Sequence, residues 1–255
     1  MAENARNRVN AAKTAFAVVD GLNELEGAGV TELATHLDTP VSTVHGYLST
    51  LEQEGYVVND GGEYHVGVRF LEYGACARRR TDIYGTAKPE VDRLAEETGN
   101  LANLLVEEHG WGIYLHRGMG DHAVQALDTQ VGTRVSLHAT AMGKAILAHL
   151  SESRVEAIIA ERGLPRMTRR TVTDRDELHA ELEVIRERGY AIDDEELVEG
   201  LRCVGVPVLD DTGHVFGAMS VAGPARRFDG SYLTEEMPRR VMDAANVVRL
   251  NLTYS

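Results

Sequence analysis

Residues 31–66 restrict the possible folds of this chain more than any other segment. They read TELATHLDTPVSTVHGYLSTLEQEGYVVNDGGEYHV. Leu33, Ala34 and Leu37 have helical spacing, and Asp38-Thr39-Pro40 interrupts that helix, because proline is tolerated only in the first turn of the next one. A second helical stripe of apolar residues follows, at Val41, Val44, Leu48 and Leu51. The segment therefore predicts two short helices joined by a tight turn.

A β-hairpin is predicted directly after the second helix. Gly55 supplies a helix stop, and the strand-like runs 56–58 and 64–66 flank Asn59-Asp60-Gly61-Gly62, a sequence that suits a hairpin turn. Two helices, a turn and a hairpin in this order are the pattern of a winged helix-turn-helix. That module places its second helix in the major groove of DNA.

The second helix carries small or hydrogen-bonding residues on the face opposite its apolar stripe. Such groups suit contacts with base edges and phosphates. We predict that this face binds double-stranded DNA through Ser42, Thr43, His45, Gly46 and Tyr47. The alternative is an interaction module in which the serine and threonine residues are simply exposed.

A helix before this module completes a three-helix core in the prediction. Its apolar residues repeat at helical spacing, at Val9, Ala12, Phe16, Val19 and Leu22. The basic residues Arg6, Arg8 and Lys13 stand at its start and are candidates for phosphate contacts. They are equally compatible with a solvated chain end.

Length and composition predict two domains in the cytoplasm. A chain of 255 residues with 43% hydrophobic residues is long enough for two cores. It has no apolar run of membrane-spanning length, and its first residues, MAENARNRVN, contain no apolar signal region.

Cys76 and Cys203 are far apart and lack metal-ligand spacing, which argues against a disulfide scaffold and against zinc. We therefore expect no metal and no cofactor.

The charge is unusual for a protein that binds DNA. The net charge is −14, and only three of the 26 basic residues are lysine. Residues 1–80 contain seven basic and eleven acidic side chains, a net charge of −4. Dense carboxylates keep a protein hydrated when salt near 1 M reduces the Debye length to about 3 Å. We predict a halophilic source, in which DNA binding depends on base contacts, shape and oligomer avidity more than on a basic field.

The remainder of the chain alternates strand-like and helical runs. Arg78-Arg79-Arg80 begins a helical stretch that Pro89 is expected to divide into two helices. Two hairpins are predicted, one turning at His109-Gly110 and one at residues 210–213. Helices are expected at residues 143–150, after a cap at Thr173, and at the end of the chain, where Val241, Ala244, Val248 and Leu252 are spaced as a buried stripe. Paired strands with helices before and after them predict an α+β fold with helices packed on a sheet.

The second domain lacks residues that the enzymatic motifs it partly resembles would require. Gly143-Lys144 resembles part of a phosphate loop, but that motif needs glycine at position 138 and serine or threonine at 145, where His138 and Ala145 stand. Cys203 has no sequence signature of a base to activate it. We therefore predict no catalytic residue. A DNA-binding architectural protein that takes no ligand stays open as an alternative.

Four motifs give the chain a resemblance to a known family. They are STVHGYLSTLEQEGYV, DGGEYHVGVRFLEYG, LHATAMGKAILAHL and RERGYAIDDEELVEGLRCVGVPVLDDTGHVFGAMSVAGP. With these, the chain resembles the IclR family of transcriptional regulators over essentially its whole length. The resemblance implies a winged helix-turn-helix at residues 1–74, a linker helix at 75–90 and a GAF-like α/β effector-binding domain at 91–255. It also implies homodimers that often pair into tetramers.

The resemblance further implies a pocket for a small-molecule effector. Matched position by position, that pocket is lined by Thr140, Ala141, Met142, Asp193, Cys203 and Ser220. A helix N-terminus can hold a carboxylate through free N–H groups, so a small organic acid is the expected effector. The resemblance also implies a regulator that controls genes of carbon-source catabolism. Cys203 and Met142 are also compatible with a plain core role.

Two residues depart from the family pattern. Gly46 stands where many relatives have arginine after the recognition histidine, which removes a long phosphate or guanine contact. Ala222 stands where relatives often have a second serine. Both the base preference and the effector are therefore expected to differ from those of better-known relatives.

Overall fold

The computed structural model describes residues 9–123 and 129–254. The chain divides into two compact units, of which the first ends at Ala77 and the second begins at Arg78. Arg6 and Arg8 lie outside the described residues.

The first unit contains three helices and a small sheet. The helices are α1 (Asn10–Glu24), α2 (Val30–His36) and α3 (Val41–Gln53), and the strands are β1 (Ala28–Gly29), β2 (Val57–Asp60) and β3 (Glu63–Val66). The strands lie in the order β1-β3-β2 and are antiparallel. A single apolar core joins them, centred on Leu22, Leu33, Val44, Leu48 and Val57. The predicted winged helix-turn-helix fold is confirmed.

Local turn chemistry explains this module. Asp38 adopts a positive φ of 47° between α2 and α3, a conformation that aspartate tolerates better than most residues. In the wing, Gly61 and Gly62 have φ values of 62° and 104°, which glycine adopts without strain. The Asn59 side chain accepts a hydrogen bond from the Gly62 N–H at 2.8 Å. These short-range constraints fix the wing turn.

The predicted apolar stripes of α1 and α3 are wrong at their N-terminal ends. Val9 and Phe16 are 69% and 64% exposed, and Val41 is 49% exposed. Helix α1 packs through Leu22, which belongs to the predicted stripe, and through Val18, which does not; between them an added Cβ at Gly21 would lie 2.8 Å from Leu33 Cδ1. Close approach of α2 at the glycine selects this face of α1, so the apolar residues on the neighbouring face remain outside the core.

The expected helix break at Pro89 also differs from the structure. Helix α4 (Phe70–Arg80) ends with Arg78-Arg79-Arg80, and α5 (Asp82–Thr98) continues through Pro89. The predicted division at Pro89 is therefore wrong, and the break falls at Thr81. Pro89 and Gly85, four residues earlier, are both exposed, so the Gly85 carbonyl that loses its helical N–H partner is solvated by water.

The second unit is built on a six-stranded antiparallel sheet with helices on both faces. Its strands are β4 (Leu101–Glu108), β5 (Trp111–Met119), β6 (Arg134–Ser136), β7 (Ala191–Asp194), β8 (Leu201–Leu209) and β9 (Val215–Pro224), in the order β6-β5-β4-β9-β8-β7. Helices α5 and α9 (Met237–Tyr254) pack on one face. Helices α6 (Ala141–Leu147), α7 (Glu152–Arg162) and α8 (Arg175–Arg188) pack on the other. The predicted α+β class and both hairpins are confirmed.

One predicted helix cap is displaced by a residue. Helix α8 is capped by Asp174, whose carboxylate accepts the Glu177 N–H at 2.9 Å, and not by Thr173. The Thr173 hydroxyl accepts a hydrogen bond from Arg166 instead.

No helix in residues 9–123 and 129–254 combines the length and apolarity needed to cross a membrane.

Candidate functional sites

The N-terminal half of α3 presents a polar, exposed face. Ser42, Thr43 and His45 are exposed, whereas Val44 and Leu48 of the same helix are buried. None of the three polar side chains forms a hydrogen bond with another described residue. The face therefore keeps all its donors and acceptors free.

The other predicted DNA contacts differ in their surroundings. Gly46 is exposed, and an added Cβ would meet nothing within 4 Å. Tyr47 is half-buried against the core, and Lys13 is exposed on α1. Residues 39–51 contain no aspartate, glutamate, lysine or arginine. The acidic residues of the first unit therefore lie outside this stretch, and no carboxylate within it would repel the phosphates of DNA.

The second unit contains a cavity between α6, the sheet and the segment that joins β7 to β8. The empty space between its lining atoms, counted together with the solvent at its mouth, is about 370 Å³, and only a small part of it is wide enough for a water molecule. Its wall includes all six residues that the family resemblance selected, Thr140, Ala141, Met142, Asp193, Cys203 and Ser220. The structure adds five lining residues that the resemblance did not select for the pocket, Asn103, Tyr114, Leu197, Val198 and Leu201.

Strand register builds the floor of this cavity. On one row, Cys203 of β8 lies opposite Asp193 of β7 and Ala222 of β9. On the next row, Ser220 of β9 lies opposite Gly205 of β8 and opposite a residue of β4. Residues distant in sequence thus share one face of the sheet, because side chains opposite each other across antiparallel strands project together.

Glycines allow α6 to sit directly on this floor. A Cβ at Gly205 would lie 2.5 Å from the Ala141 carbonyl carbon, and one at Gly143 would lie 2.1 Å from the Leu137 carbonyl oxygen. The Thr140 hydroxyl caps the helix by accepting the Gly143 N–H at 2.9 Å. Close backbone contact therefore places Ala141 and Met142 at the cavity wall.

Asp193 is a buried carboxylic acid at one end of the cavity. Its side chain is 3% exposed, and its Oδ1 accepts the Glu196 N–H at 2.7 Å. Burial raises the pKa of Asp193 to about 7, and the neighbouring carboxylate of Glu196 adds to this effect, while Lys144 opposes it. Its Oδ2 has no hydrogen-bond partner among the described residues. Near neutral pH this group therefore exchanges a proton at the cavity wall.

A buried ion pair stands behind that wall. Lys144 of α6 is fully buried, and its ammonium group donates to Glu196 and, at 2.6 Å, to Glu181 of α8. Burial raises the pKa of Glu196, whose Oε2 is buried without a partner among the described residues. Lys144 therefore ties α6 to α8 and to the segment after β7 rather than binding phosphate.

The cavity chemistry does not favour a nucleophile. Burial raises the pKa of the Cys203 thiol well above its ordinary value, and the carboxylates of Asp193 and Glu196 act in the same direction. A protonated thiol is a weak nucleophile. In the described part of the chain, no group of His, Cys, Asp and Glu side chains is arranged to hold a metal ion.

Asp193 predicts a pH dependence of stability. Its pKa is about 7 in the folded protein and near 3.8 in an unfolded chain, so between these pH values only the folded state retains the proton. The contribution of this group to stability therefore falls as the pH rises through that window. We expect Asp193→Asn to gain melting temperature relative to the wild type from about pH 4.5 to about pH 7.5, as measured by calorimetry. A difference that stays constant over this range would contradict the assignment.

Comparison with known proteins identifies the family. The family model for the IclR helix-turn-helix domain matches residues 11–61, and that for the C-terminal part of bacterial IclR transcriptional regulators matches residues 76–249. This chain belongs to the IclR family. Members are transcriptional regulators, in agreement with the prediction of a DNA-binding regulator rather than an enzyme.

Similar IclR proteins cover nearly the whole chain. The probable regulator ArcR of Halobacterium salinarum is 36% identical over 96% of this chain and 94% of its own length. The crystal structure of Thermotoga maritima IclR superposes with a TM-score of 0.77 at 30% identity, covering 96% of this chain and 99% of that one. An IclR homologue from Microbacterium hydrocarbonoxydans, solved in complex with 4-hydroxybenzoate, has the same fold, with a TM-score of 0.77 at 23% identity, 94% coverage of this chain and 100% of that one.

Some cavity residues of this IclR protein have a detectable sequence signal, and others have none. Asn103 interrupts the apolar run of β4 with a polar side chain that is 3% exposed, and such a residue in a central strand indicates a buried polar site. Tyr114 gives a similar signal within β5. Leu197, Val198 and Leu201 stand within the last of the family motifs, but nothing in their local pattern marks them as pocket residues, because the path of the segment after β7 brings them to the cavity.

Proposed function

We propose that this IclR-family regulator binds a small carboxylated metabolite in the cavity of its second unit and that binding changes its affinity for operator DNA. One observation carries the proposal. The cavity wall combines Thr140, Asp193 and Ser220 with apolar residues, and the polar groups of Asp193 and Tyr114 lack partners among the described residues for part of their hydrogen-bonding capacity. A mostly apolar pocket with a few convergent polar groups is typical of small-molecule sites.

A small organic acid fits the chemistry of this cavity. The IclR homologue from M. hydrocarbonoxydans was solved with 4-hydroxybenzoate, a small organic acid, which supports this choice of ligand class. Ala222 offers no hydroxyl at its lining position, so we expect an effector with one hydrogen-bonding group fewer on that side. Control of carbon-source catabolism remains part of the proposal.

DNA binding is assigned to the exposed face of α3. The proposed contacts are Ser42, Thr43, His45 and Gly46, with Tyr47 at the edge of the face. Lys13, Arg6 and Arg8 are proposed to add phosphate contacts. We further propose a cytoplasmic homodimer or dimer of dimers, because two linked copies of α3 that bind neighbouring half-sites raise the affinity for DNA by avidity.

The coupling is proposed to be a shift between two arrangements of the regulator. An effector moves such an equilibrium only by its difference in affinity for the two arrangements. The competing function, an architectural DNA binder that takes no ligand, is disfavoured by the partly unpartnered polar groups in the cavity.

Effector binding can be tested before the metabolite is identified. We expect at least one acid from a panel of acetate, pyruvate, lactate, gluconate, benzoate and 4-hydroxybenzoate to raise the melting temperature in 2 M KCl, because a ligand of the native state stabilises it by mass action. Asp193→Ala and Ser220→Ala should each reduce this shift while leaving DNA binding intact. An undiminished shift in both variants would place the pocket elsewhere, and no shift with any acid would favour the architectural function.

A halophilic source is also proposed, on the basis of the net charge of −14 and the three lysines. The similarity to a regulator from Halobacterium salinarum is consistent with this. In such a cytoplasm the free energy of DNA binding has little contribution from counterion release.

A further inference from the structure

A row of three polar side chains crosses the sheet at the floor of the cavity. Arg117 of β5 lies opposite Asn103 of β4, and Asn103 lies opposite Ser220 of β9. Asn103 and Ser220 line the cavity. Since residues in register share a face of the sheet, the Arg117 side chain begins on the cavity side of β5.

The chemistry of the side chains determines which groups donate and which accept the hydrogen bonds of this row. Arg117 Nε donates to Asn103 Oδ1 at 3.4 Å, and Asn103 Nδ2 donates to Ser220 Oγ at 3.2 Å. A guanidinium group has only donors, so the amide oxygen of Asn103 must face Arg117 and its NH₂ group must face Ser220. Ser220 Oγ therefore accepts, and its own proton is left to donate to another group. Among the described residues that proton has no acceptor.

Arg117 lacks a compensating negative charge among the described residues. It is half-buried, forms no ion pair there, and burial lowers its pKa. A partly buried cation without a counter-ion is costly. The opposite end of the cavity carries Asp193, with Glu196 behind it. Arg117 does not itself line the cavity. Its charge stands behind Asn103 at the donor-rich Ser220 end, whereas the other end is acidic at Asp193.

We propose that Arg117 is a specificity-determining residue that acts through Asn103. It orients the Ser220 hydroxyl as a donor and makes this end of the cavity a carboxylate subsite, so that the effector lies with its carboxylate at Ser220 and its second polar group toward Asp193. This inference rests on the proposed function, and it names Arg117 and the ligand orientation in addition.

The test compares acids with their uncharged amides. Binding of pyruvate, pyruvamide, 4-hydroxybenzoate and 4-hydroxybenzamide is measured by thermal shift and calorimetry in 2 M KCl. The wild type should prefer an acid to its amide. Arg117→Met should weaken acid binding about tenfold, the size expected for a charge-supported hydrogen bond, and should abolish the preference for the acid. In a Ser220→Ala background the same change should cost only about threefold, because the hydroxyl that Arg117 orients is already absent.

Controls separate this role from a structural one. Arg134→Met removes an exposed arginine from β6 of the same sheet and should leave acid binding unchanged. Arg117→Lys should retain part of the acid preference, and Arg117→Gln serves as the uncharged variant if Arg117→Met does not fold. Equal acid preference in the wild type and the Arg117 variants, or full additivity with Ser220→Ala, would overturn the inference while leaving effector binding in place. If the wild type binds neither of these acids but another acid of the panel, the comparison is made with that acid and its amide; if it binds no acid of the panel, both the inference and the proposed effector class fail.

Discussion

Replacing Lys144 with methionine should lower the free energy of unfolding of the second unit by about 3–5 kcal/mol, the usual cost of removing one member of a buried ion pair. Lys144 is fully buried and pairs with Glu196, whose side chain is only 7% exposed. The substitution leaves the Glu196 carboxylate buried without a cation. Denaturation in urea, followed by tryptophan fluorescence and circular dichroism, measures the loss.

The matched control is Lys88→Met. Lys88 pairs with Asp92 on the surface of α5 and is 46% exposed, so its loss should change stability by less than about 1 kcal/mol. A second change, Glu196→Leu in the Lys144→Met protein, should recover much of the stability, because it removes the unpaired buried charge. Equal destabilisation by the two lysine substitutions would show that the buried pair is not a major support of α6.

Alanine at Ser42, Thr43 and His45 together should reduce affinity for operator DNA about 100-fold or more, since each lost base contact costs about 1–3 kcal/mol. The three side chains are exposed on the N-terminal half of α3. The operator is obtained by selection from random DNA, and affinity is measured by fluorescence anisotropy. Binding of organic acids should be unaffected.

The control removes similar chemical groups from the second unit. Thr234, Thr253 and His214 are exposed there, and their triple alanine variant should bind the operator like the wild type. Equal affinity of the two triple variants would remove α3 from the DNA interface. Repeating the titration between 0.2 and 2 M KCl tests the halophilic proposal separately, because a collapse of wild-type affinity at high salt would refute that proposal alone.

Local chemistry accounts for the parts of the fold that could be predicted. The turn between α2 and α3 and the wing depend on Pro40, Gly61 and Gly62, whose conformational limits act over a few residues. The prediction failed where distant packing selects among similar local patterns. Phe16 has perfect helical spacing with Val9 but is 64% exposed, because α1 packs on α2 through Gly21.

The candidate cavity shows the same division. Thr140, Asp193, Cys203 and Ser220 are indicated by family resemblance, and no local pattern relates them, since they come from different elements. Asn103 and Tyr114 join them only through strand register. Lys144 resembles part of a phosphate motif in the sequence, whereas the structure buries it between two glutamates.

The amino-acid sequence was sufficient to predict the winged helix-turn-helix module with α3 and its wing, the two hairpins of the second unit, several of its helices, and the acid-rich composition. Those properties depend on short-range backbone preferences, hydrophobic period and charge. Three features depend on the packing of residues that are distant in sequence: which face of α1 is buried, the burial of Lys144 as an internal cation, and the polar row of Arg117, Asn103 and Ser220. Burial and hydrogen-bond direction depend on which distant residues come into contact. Hydrophobic periodicity predicts which residues share one face of a helix or strand, but it does not predict which other element packs against that face.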